Sequence, residues 1–201
     1  MPMLYKGGRS QKKQSLIQYF QPLWIDYEDR YGRNYVRALE HTASAHIIPN
    51  ISLSSAWYVN ELLCVTQFPG QDDPLLYAAY IVALKSMSSA IDRYTLERAL
   101  RRFELALLKS IGQDVILTHT HDDLKILAEQ RYNFVPGDGF HLTETGISGE
   151  YILAFAENKL DDVKSLSSLK YIMRTAIDHA LDGRVLKTRS LGRSLMIPGT
   201  T

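Results

Sequence analysis

Within the first fifty residues, short runs of large apolar side chains are separated by a polar turn, and this pattern predicts β-strands. Residues 16–27 are rich in Ile, Tyr, Phe, Leu and Trp, and residues 35–39 alternate large side chains with others. The polar segment 28–34 between them favours a hairpin. Pro22 is expected at an edge or at the start of its strand, because it lacks a backbone N–H. Two or three strands alone are unstable in water, so this module must pack on another part of the chain.

From residue 52 onward, the apolar positions recur at helical spacing. Two helices are predicted first, one ending near Phe68 and one running through Leu84. Their start signals are, in chain order, Ser54 or Ser55, and Asp72 or Asp73 followed by Pro74. Short polar side chains accept hydrogen bonds from the free N–H groups of a first turn, and proline is tolerated there.

A third helix is predicted to end at Gly112, with its apolar residues on one stripe. The stripe consists of Leu96, Leu100, Phe103, Leu107 and Ile111. Arg101, Arg102 and Glu104 are expected to lie largely outside this stripe.

After Gly112 the sequence predicts an irregular polar stretch. A small hairpin is predicted over residues 132–142, with its turn at 136–139, which reads Pro-Gly-Asp-Gly. Residues 165–181 carry the clearest amphipathic pattern, and Gly183 is expected to end that helix. A further short helix is predicted from about Thr188, using Leu191 and Leu195.

The predicted elements divide the chain into two domains with an α+β architecture. Residues 1–49 form a β module, and residues 50–201 form a mainly α-helical domain with a small β-hairpin. The 201 residues, 45% of them hydrophobic, are enough for a buried core. No apolar run approaches the roughly 18–20 residues of a membrane span, and the N-terminus lacks the apolar core of a signal peptide. Cys64 is the only cysteine and is expected to be a buried structural thiol, and we predict a cytoplasmic location.

The formal net charge is only +1, but basic residues concentrate at both ends of the chain. In the N-terminal part they are Lys6, Arg9, Lys12, Lys13, Arg30, Arg33 and Arg37. After Asp182 they are Arg184, Lys187, Arg189 and Arg193, with no acidic residue among them. Acidic residues in the middle of the chain compensate this charge. Such a distribution is compatible with contacts to nucleic-acid phosphates.

Several short motifs occur along the chain in the order that is found in one protein family. They are Lys-Gly-Gly-Arg-Ser at 6–10, Gln-Pro-Leu at 21–23, Tyr-Val-Asn-Glu-Leu-Leu at 58–63, Leu-Arg-Arg-Phe-Glu-Leu-Ala-Leu-Leu at 100–108 and Leu-Lys-Thr-Arg-Ser at 186–190. In this order and separation they resemble the motifs of the RecO family of recombination mediators.

The resemblance implies an N-terminal OB-fold and a C-terminal helical domain. It implies a DNA repair and homologous recombination protein, not an enzyme, that binds and anneals single-stranded DNA. Such a protein helps to load recombinase onto strands coated by single-strand-binding protein (SSB). The implied partners are single-stranded DNA, RecR and the C-terminal tail of SSB. The implied location is cytoplasmic and nucleoid-associated, and no cofactor is expected.

Two features depart from the family pattern. The Lys-Gly-x-Arg element normally follows the first strands of the barrel, but here it begins at Lys6. We therefore expect an incomplete OB-fold, caused either by a start codon further upstream or by truncation. The alternative function is then a helical protein-interaction adaptor with weak DNA binding.

Some family members also hold zinc with four cysteines just after the helix ending at Gly112. Residues 117–123 contain no cysteine, so we predict no zinc site.

Basic residues from both ends of the chain are the expected DNA contacts. They are Lys6, Arg9, Lys12, Lys13, Arg33, Arg37, Lys187 and Arg189. Arg33 and Arg37 flank Tyr31 and Tyr35, which offers base stacking beside positive charge. The alternatives are solvated basic termini and tyrosines that only pack within the sheet.

Arg101 and Arg102 are the expected binding residues for the SSB tail. They adjoin the apolar stripe of the third helix. A cation beside an apolar groove suits an acidic peptide that ends in an aromatic residue and a carboxylate. The alternatives are pairing within the chain, with Glu97 or Glu104, and plain solvation.

The segment 115–123 is similar to the His-x-His-x-Asp-His loop of metal-dependent hydrolases. Here Leu124 occupies the position of the last histidine of that motif. The further ligands of such a metal site would have to be His141 and His179, and His179 lies inside a predicted helix. A hydrolytic metal pair needs several converging ligands, so we interpret this segment as a solvated loop and predict neither a metal site nor a catalytic residue.

Overall fold

The computed structural model describes residues 3–6, 17–67, 72–90, 92–157, 159 and 163–189. These ranges contain two three-stranded sheets and five helices. In chain order the elements are β1 (Met3–Leu4), β2 (Leu23–Arg30), β3 (Arg33–His41), α1 (Asn50–Thr66), α2 (Pro74–Ser88), α3 (Arg93–Ser110), β4 (Arg131–Val135), β5 (Gly139–Thr143), β6 (Ile147–Ser148), α4 (Gly149–Ala156) and α5 (Val163–Leu181). This confirms the predicted α+β class.

The N-terminal sheet has the order β1-β3-β2 and contains the predicted hairpin. β2 and β3 run antiparallel, and β1 pairs with β3 in parallel. The turn is shorter than the seven residues expected, because both strands continue until only Tyr31 and Gly32 remain between them. Both have positive φ angles, 55° and 74°, as the tight hairpin turns that match strand twist require. The carboxylate of Asp29 also accepts a hydrogen bond from the Gly32 N–H at 3.0 Å.

Residues 17–22, directly before β2, are not part of a strand, in contrast to the prediction for 16–27. Phe20 has a φ angle of 58°, which interrupts an extended backbone. The rings of Tyr19 and Phe20 pack edge-on against Trp57 of α1, with centroid distances of 4.6 and 5.4 Å. The segment thus joins the β module to the helical domain, which supplies the packing partner that the strands need.

α1 begins four residues before the first serine predicted to cap it. Pro49 precedes the helix, and its carbonyl accepts the N–H of Ser52 at 2.9 Å, without a capping side chain. α2 begins as predicted, since Asp73 accepts the N–H of Leu76 at 2.8 Å and Pro74 occupies the first turn. Cys64 of α1 is exposed, so the expectation of a buried thiol is wrong.

α3 and α5 form the centre of the helical core. α3 packs against α1, α2 and α5, and α5 also packs against α4. α3 ends before Gly112 and α5 before Gly183, both at positive φ, as predicted. Two charged residues of α3 are buried, contrary to expectation: Arg101 is 5% exposed and Glu104 is 1% exposed. The α1 and α5 helices cover this side of α3, so its buried face is wider than the apolar stripe.

The second sheet has the order β5-β4-β6 and contains the predicted small hairpin, in which Phe134 pairs with Phe140. β6 and α4 were not predicted. β6 has only two residues and α4 only eight, and no capping side chain marks the start of α4. A helical turn begins at Thr188, while Leu191 and Leu195 lie outside the described residues. No helix in the described ranges is long and apolar enough to cross a membrane.

Candidate functional site

A pocket of about 430 Å³ opens between α1, α3 and the end of the described chain. Its floor contains the apolar side chains of Ile51, Leu96 and Leu100. Five cationic side chains also line it, Arg93, Arg101, Lys170, Arg174 and Arg189, and they outnumber two carboxylates, Glu97 and Glu104. We call this the basic pocket. An apolar floor with a cationic lining suits a ligand that combines an apolar group with negative charge.

Arg101 is the most deeply buried of these cations, with 6% of its side chain exposed. Its Nη1 lies 2.9 Å from Oε2 of Glu104, and its Nη2 lies 3.7 Å from Oε2 of Glu97. Among the described residues its Nε has no hydrogen-bond partner. The charge of Arg101 is largely shielded from water, so a ligand carboxylate that reaches the exposed part of its guanidinium would gain more than one at an exposed arginine.

Glu104 is the buried counter-ion of Arg101. Its Oε1 accepts a hydrogen bond from the hydroxyl of Tyr58 at 2.8 Å. Burial raises the pKa of Glu104, although Arg101 and the Tyr58 hydrogen bond act in the opposite direction. Burial, together with the Glu104 charge, also raises the pKa of Tyr58, which therefore stays a neutral donor. The wall of the pocket is thus a polar network that links α1 to α3.

Arg189 closes the opposite side of the basic pocket. Its guanidinium pairs with Asp178 of α5, and like Tyr58 it lines the pocket. At the pocket mouth, Lys170 Nζ lies 2.9 Å from Oε1 of Glu97. Arg101, Lys170 and Arg189 are therefore held by contacts within the chain, which limits the conformational entropy that a ligand must remove.

The two arginines predicted for the SSB tail lie in different environments. Arg101 lines the basic pocket, whereas Arg102 is exposed and is not one of its lining residues. The alternative pairing of Arg101 with Glu97 and Glu104 also exists, and it holds the guanidinium in the pocket wall. Sequence periodicity did not reveal Lys170 and Arg174, because they lie on α5, more than sixty residues further along the chain.

The predicted DNA-binding residues fall into two groups. Arg33 and Arg37 are exposed on β3, and Arg37 Nε lies 4.0 Å from an oxygen of Asp26. Lys6 is exposed just beyond β1, whose Leu4 pairs with Tyr35 of β3, so all three cations belong to one sheet. Arg9, Lys12 and Lys13 lie outside the described residues. Lys187 is exposed at the other end of the chain, next to Arg189 of the basic pocket.

Aromatic side chains accompany the cations of the N-terminal sheet. Tyr31 is fully exposed at the hairpin turn, and Trp24 is 52% exposed on β2. Tyr35 is half-buried. Exposed aromatic rings beside cations are the combination that single-stranded nucleic acids use for stacking and phosphate contacts. The sequence does not single out Trp24, because an isolated tryptophan on a predicted strand has the same pattern as a core residue.

The histidine-containing loop lines a second cavity of about 550 Å³, beside the β4–β5 hairpin and α5. The rings of His121 and His141 stack with a centroid distance of 3.8 Å, and Nε2 of His141 lies 2.7 Å from Asp138. The ring of His179 lies against Gly137. Over the described ranges, no group of three or more His, Cys, Asp or Glu residues could hold a metal ion.

Comparison with known proteins gives consistent matches over most of the chain. No family model matches it. The chain is 45% identical to a protein of Legionella pneumophila (strain Corby) named DNA repair protein RecO, over 94% of this chain and 83% of the relative. Proteins of the same name from Marinobacter nauticus and Aliivibrio fischeri (strain MJ11) are 29% and 28% identical, each over 95% of this chain.

Proposed function

The chain belongs to the RecO family of DNA repair proteins, and we propose that it acts as a recombination mediator without catalytic turnover. In this role it binds and anneals single-stranded DNA and helps to load recombinase onto strands coated by SSB. RecR is its proposed further partner, and its proposed location is the cytoplasm, associated with the nucleoid.

The observation that carries this proposal is the basic pocket with Arg101 in its wall. An aromatic residue of the SSB tail would occupy the apolar floor at Leu96 and Leu100, and the terminal carboxylate would reach the Arg101 guanidinium. Acidic residues of the tail would lie against the exposed cations Arg93 and Arg174. Rim charges of this kind mainly accelerate association, whereas the buried arginine contributes to the lifetime of the complex.

DNA contacts are proposed on the N-terminal sheet, through Lys6, Arg33 and Arg37 with Trp24 and Tyr31 as stacking surfaces. The remaining predicted contacts are Arg9, Lys12, Lys13, Lys187 and Arg189. Arg189 faces the basic pocket, so of the C-terminal pair we favour Lys187 for DNA and Arg189 for the pocket.

Replacing Arg101 with lysine is expected to weaken binding of an acidic peptide about tenfold. A lysine retains the positive charge next to Glu104. Its ammonium group lacks the planar set of N–H donors with which a guanidinium can bind Glu104 and a ligand carboxylate at the same time. The measurement is fluorescence anisotropy with a labelled acidic peptide that ends in phenylalanine with a free carboxylate. The matched control is Arg102→Lys on the exposed neighbouring position, which should change the affinity less than twofold.

A second form of the peptide tests the same contact from the ligand side. Amidation of its C-terminus removes the charge that Arg101 is proposed to bind, and should weaken binding to the unmodified protein to a similar extent. If amidation has no effect and Arg101→Lys binds as tightly as the unmodified protein, the basic pocket is not the site for the tail.

Single-stranded DNA binding is expected to weaken with salt, by about 0.7 in the slope of log affinity against log salt for each phosphate contact. Arg33→Ala and Arg37→Ala should each lower this slope by about that amount if each side chain contacts one phosphate. Lys125→Ala, an exposed cation of the histidine-containing loop, is the control and should leave the slope unchanged. A slope near zero for the unmodified protein would favour the adaptor function over the mediator.

A further inference from the structure

Glu61 of α1 binds a segment that is distant in sequence. Its carboxylate accepts hydrogen bonds from the backbone N–H groups of Lys187 and Thr188, both at 2.8 Å, and from the Thr188 hydroxyl at 2.6 Å. Thr188 is the first residue of the helical turn after α5. A carboxylate at this position satisfies the free N–H groups of the turn, as a capping residue would. We call residues 184–189 the strap.

The strap is attached to the helical domain at further points. The Arg184 guanidinium donates hydrogen bonds to the carbonyls of Leu181 and Val65, and Leu186 is buried with 3% exposure. These contacts bring the strap back onto α1 after α5 has ended. Glu61 fixes the backbone at Lys187 and Thr188, and the side chain of the next residue, Arg189, pairs with Asp178 of α5.

The end of the strap is also a wall of the basic pocket. Thr188 and Arg189 both line it. Tyr58 lies one helical turn before Glu61 on α1 and lines the same pocket as Arg189, whose guanidinium pairs with Asp178 of α5. α1 therefore holds the backbone of the strap through Glu61, directly before the residue whose side chain reaches the pocket.

The ionised form of Glu61 is the one that this arrangement requires. Partial burial opposes ionisation, but the hydrogen bonds from Thr188 and Lys187 lower the pKa of Glu61 overall. The N–H groups of Lys187 and Thr188 bind different oxygens of the Glu61 carboxylate, and its negative charge strengthens both hydrogen bonds. An amide side chain would offer only one acceptor oxygen to these two donors.

We propose that Glu61 is a positioning residue for the basic pocket, which fixes the strap so that Arg189 forms a preordered cationic wall for the acidic peptide. This inference rests on the proposed function of the pocket. A long side chain that is already held in place loses little conformational entropy when a ligand binds. If the strap were released, the Arg189 side chain would lose its conformational entropy during binding, and the affinity for the peptide would fall.

The test is a double-mutant cycle between Glu61→Gln and Arg189→Ala, with the labelled acidic peptide as probe. Glu61→Gln alone is expected to weaken binding about three- to tenfold, the cost of ordering one long side chain on binding. In the Arg189→Ala background the same substitution should change affinity less than twofold, because the group that Glu61 positions is gone. A purely structural role for Glu61 would instead lower the affinity equally in both backgrounds.

Limited trypsin digestion gives an independent measure of the strap. Cleavage after Lys187 should be faster in Glu61→Gln than in the unmodified protein, and unchanged in Glu129→Gln, an exposed control. If Glu61→Gln binds the peptide as tightly as the unmodified protein while Arg101→Lys binds it more weakly, the proposed role of Glu61 is wrong. The proposed peptide site in the basic pocket would then still be supported. Absence of peptide binding to the unmodified protein would overturn the proposed function itself, and the inference with it.

Discussion

Replacing Glu104 with alanine is expected to lower the free energy of unfolding by about 3 to 5 kcal/mol, the usual cost of removing one partner from a buried ion pair. Arg101 would keep its charge in the interior and lose the carboxylate that lies 2.9 Å from its Nη1. Glu97 remains, but at 3.7 Å, and it is shared with Lys170. The Tyr58 hydroxyl would lose its acceptor as well.

Chemical denaturation at pH 7 is the measurement for Glu104→Ala. Glu129→Ala removes an exposed carboxylate of the same kind and should change the free energy by less than about 0.5 kcal/mol. A Glu104→Ala protein as stable as this control would mean that the contacts among Tyr58, Arg101 and Glu104 are not formed in solution.

The charge of Glu104 should also be visible in the pH dependence of stability. Because burial raises its pKa in the folded state, the unfolded chain ionises this group first as the pH rises. Glu104 therefore contributes stability that is present below its unfolded pKa and is lost as the pH rises through the folded pKa. Relative to Glu104→Gln, the unmodified protein is expected to gain stability as the pH falls from 7 towards 4. A constant difference between the two proteins would contradict the shift.

Replacing Gly149 with alanine is expected to cost about 3 kcal/mol, at the upper end of the range for overpacking. An added Cβ would lie 2.0 Å from the carbonyl oxygen of Leu127 and 3.0 Å from a ring carbon of Tyr132. The obstacle is backbone, and it is fixed because Gly149 and Glu150 donate hydrogen bonds to Gln130 and Ala128 at 2.8 and 3.1 Å.

Gly183→Ala is the matched control for this steric effect. Its φ is +79° and nothing lies within 4 Å of an added Cβ, so it should cost only the roughly 1 to 2 kcal/mol of a left-handed residue. Both variants can be compared by denaturation under the same conditions. Equal losses would show that the junction of β6 and α4 does not pack against the loop at Leu127.

Local signals in the sequence were sufficient for several elements. The cap at Asp73 and the helix ends before Gly112 and Gly183 depend on hydrogen bonds and φ angles within a few residues. The hairpin at 136–139 depends on its own turn residues in the same way. The start of α1 was missed because Pro49 begins the helix without a side-chain signal.

The motif at Asn60 and Glu61 could be recognised in the sequence, but its purpose could not. In the structure Asn60 accepts a hydrogen bond from the Tyr80 hydroxyl of α2 at 2.7 Å, while Glu61 holds the strap. Both partners lie at sequence distances that no local pattern reveals. The motif is thus a junction at which α1 joins two other parts of the domain.

By itself, the sequence determined the α+β class, the helical stripes and the resemblance to the RecO family, because periodicity, turn chemistry and motif order are properties of neighbouring residues. Only the tertiary structure decided that Arg101 faces a pocket while Arg102 faces solvent. Arg101 and Arg102 are adjacent and chemically identical, so the sequence pattern does not show which of them is buried. Arg101 pairs with Glu97 and Glu104 of its own helix, but this pair can be buried only where another helix covers it and satisfies the remaining carboxylate oxygen. Tyr58 does this by donating to Glu104, and its proximity exists only after α1 has packed against α3.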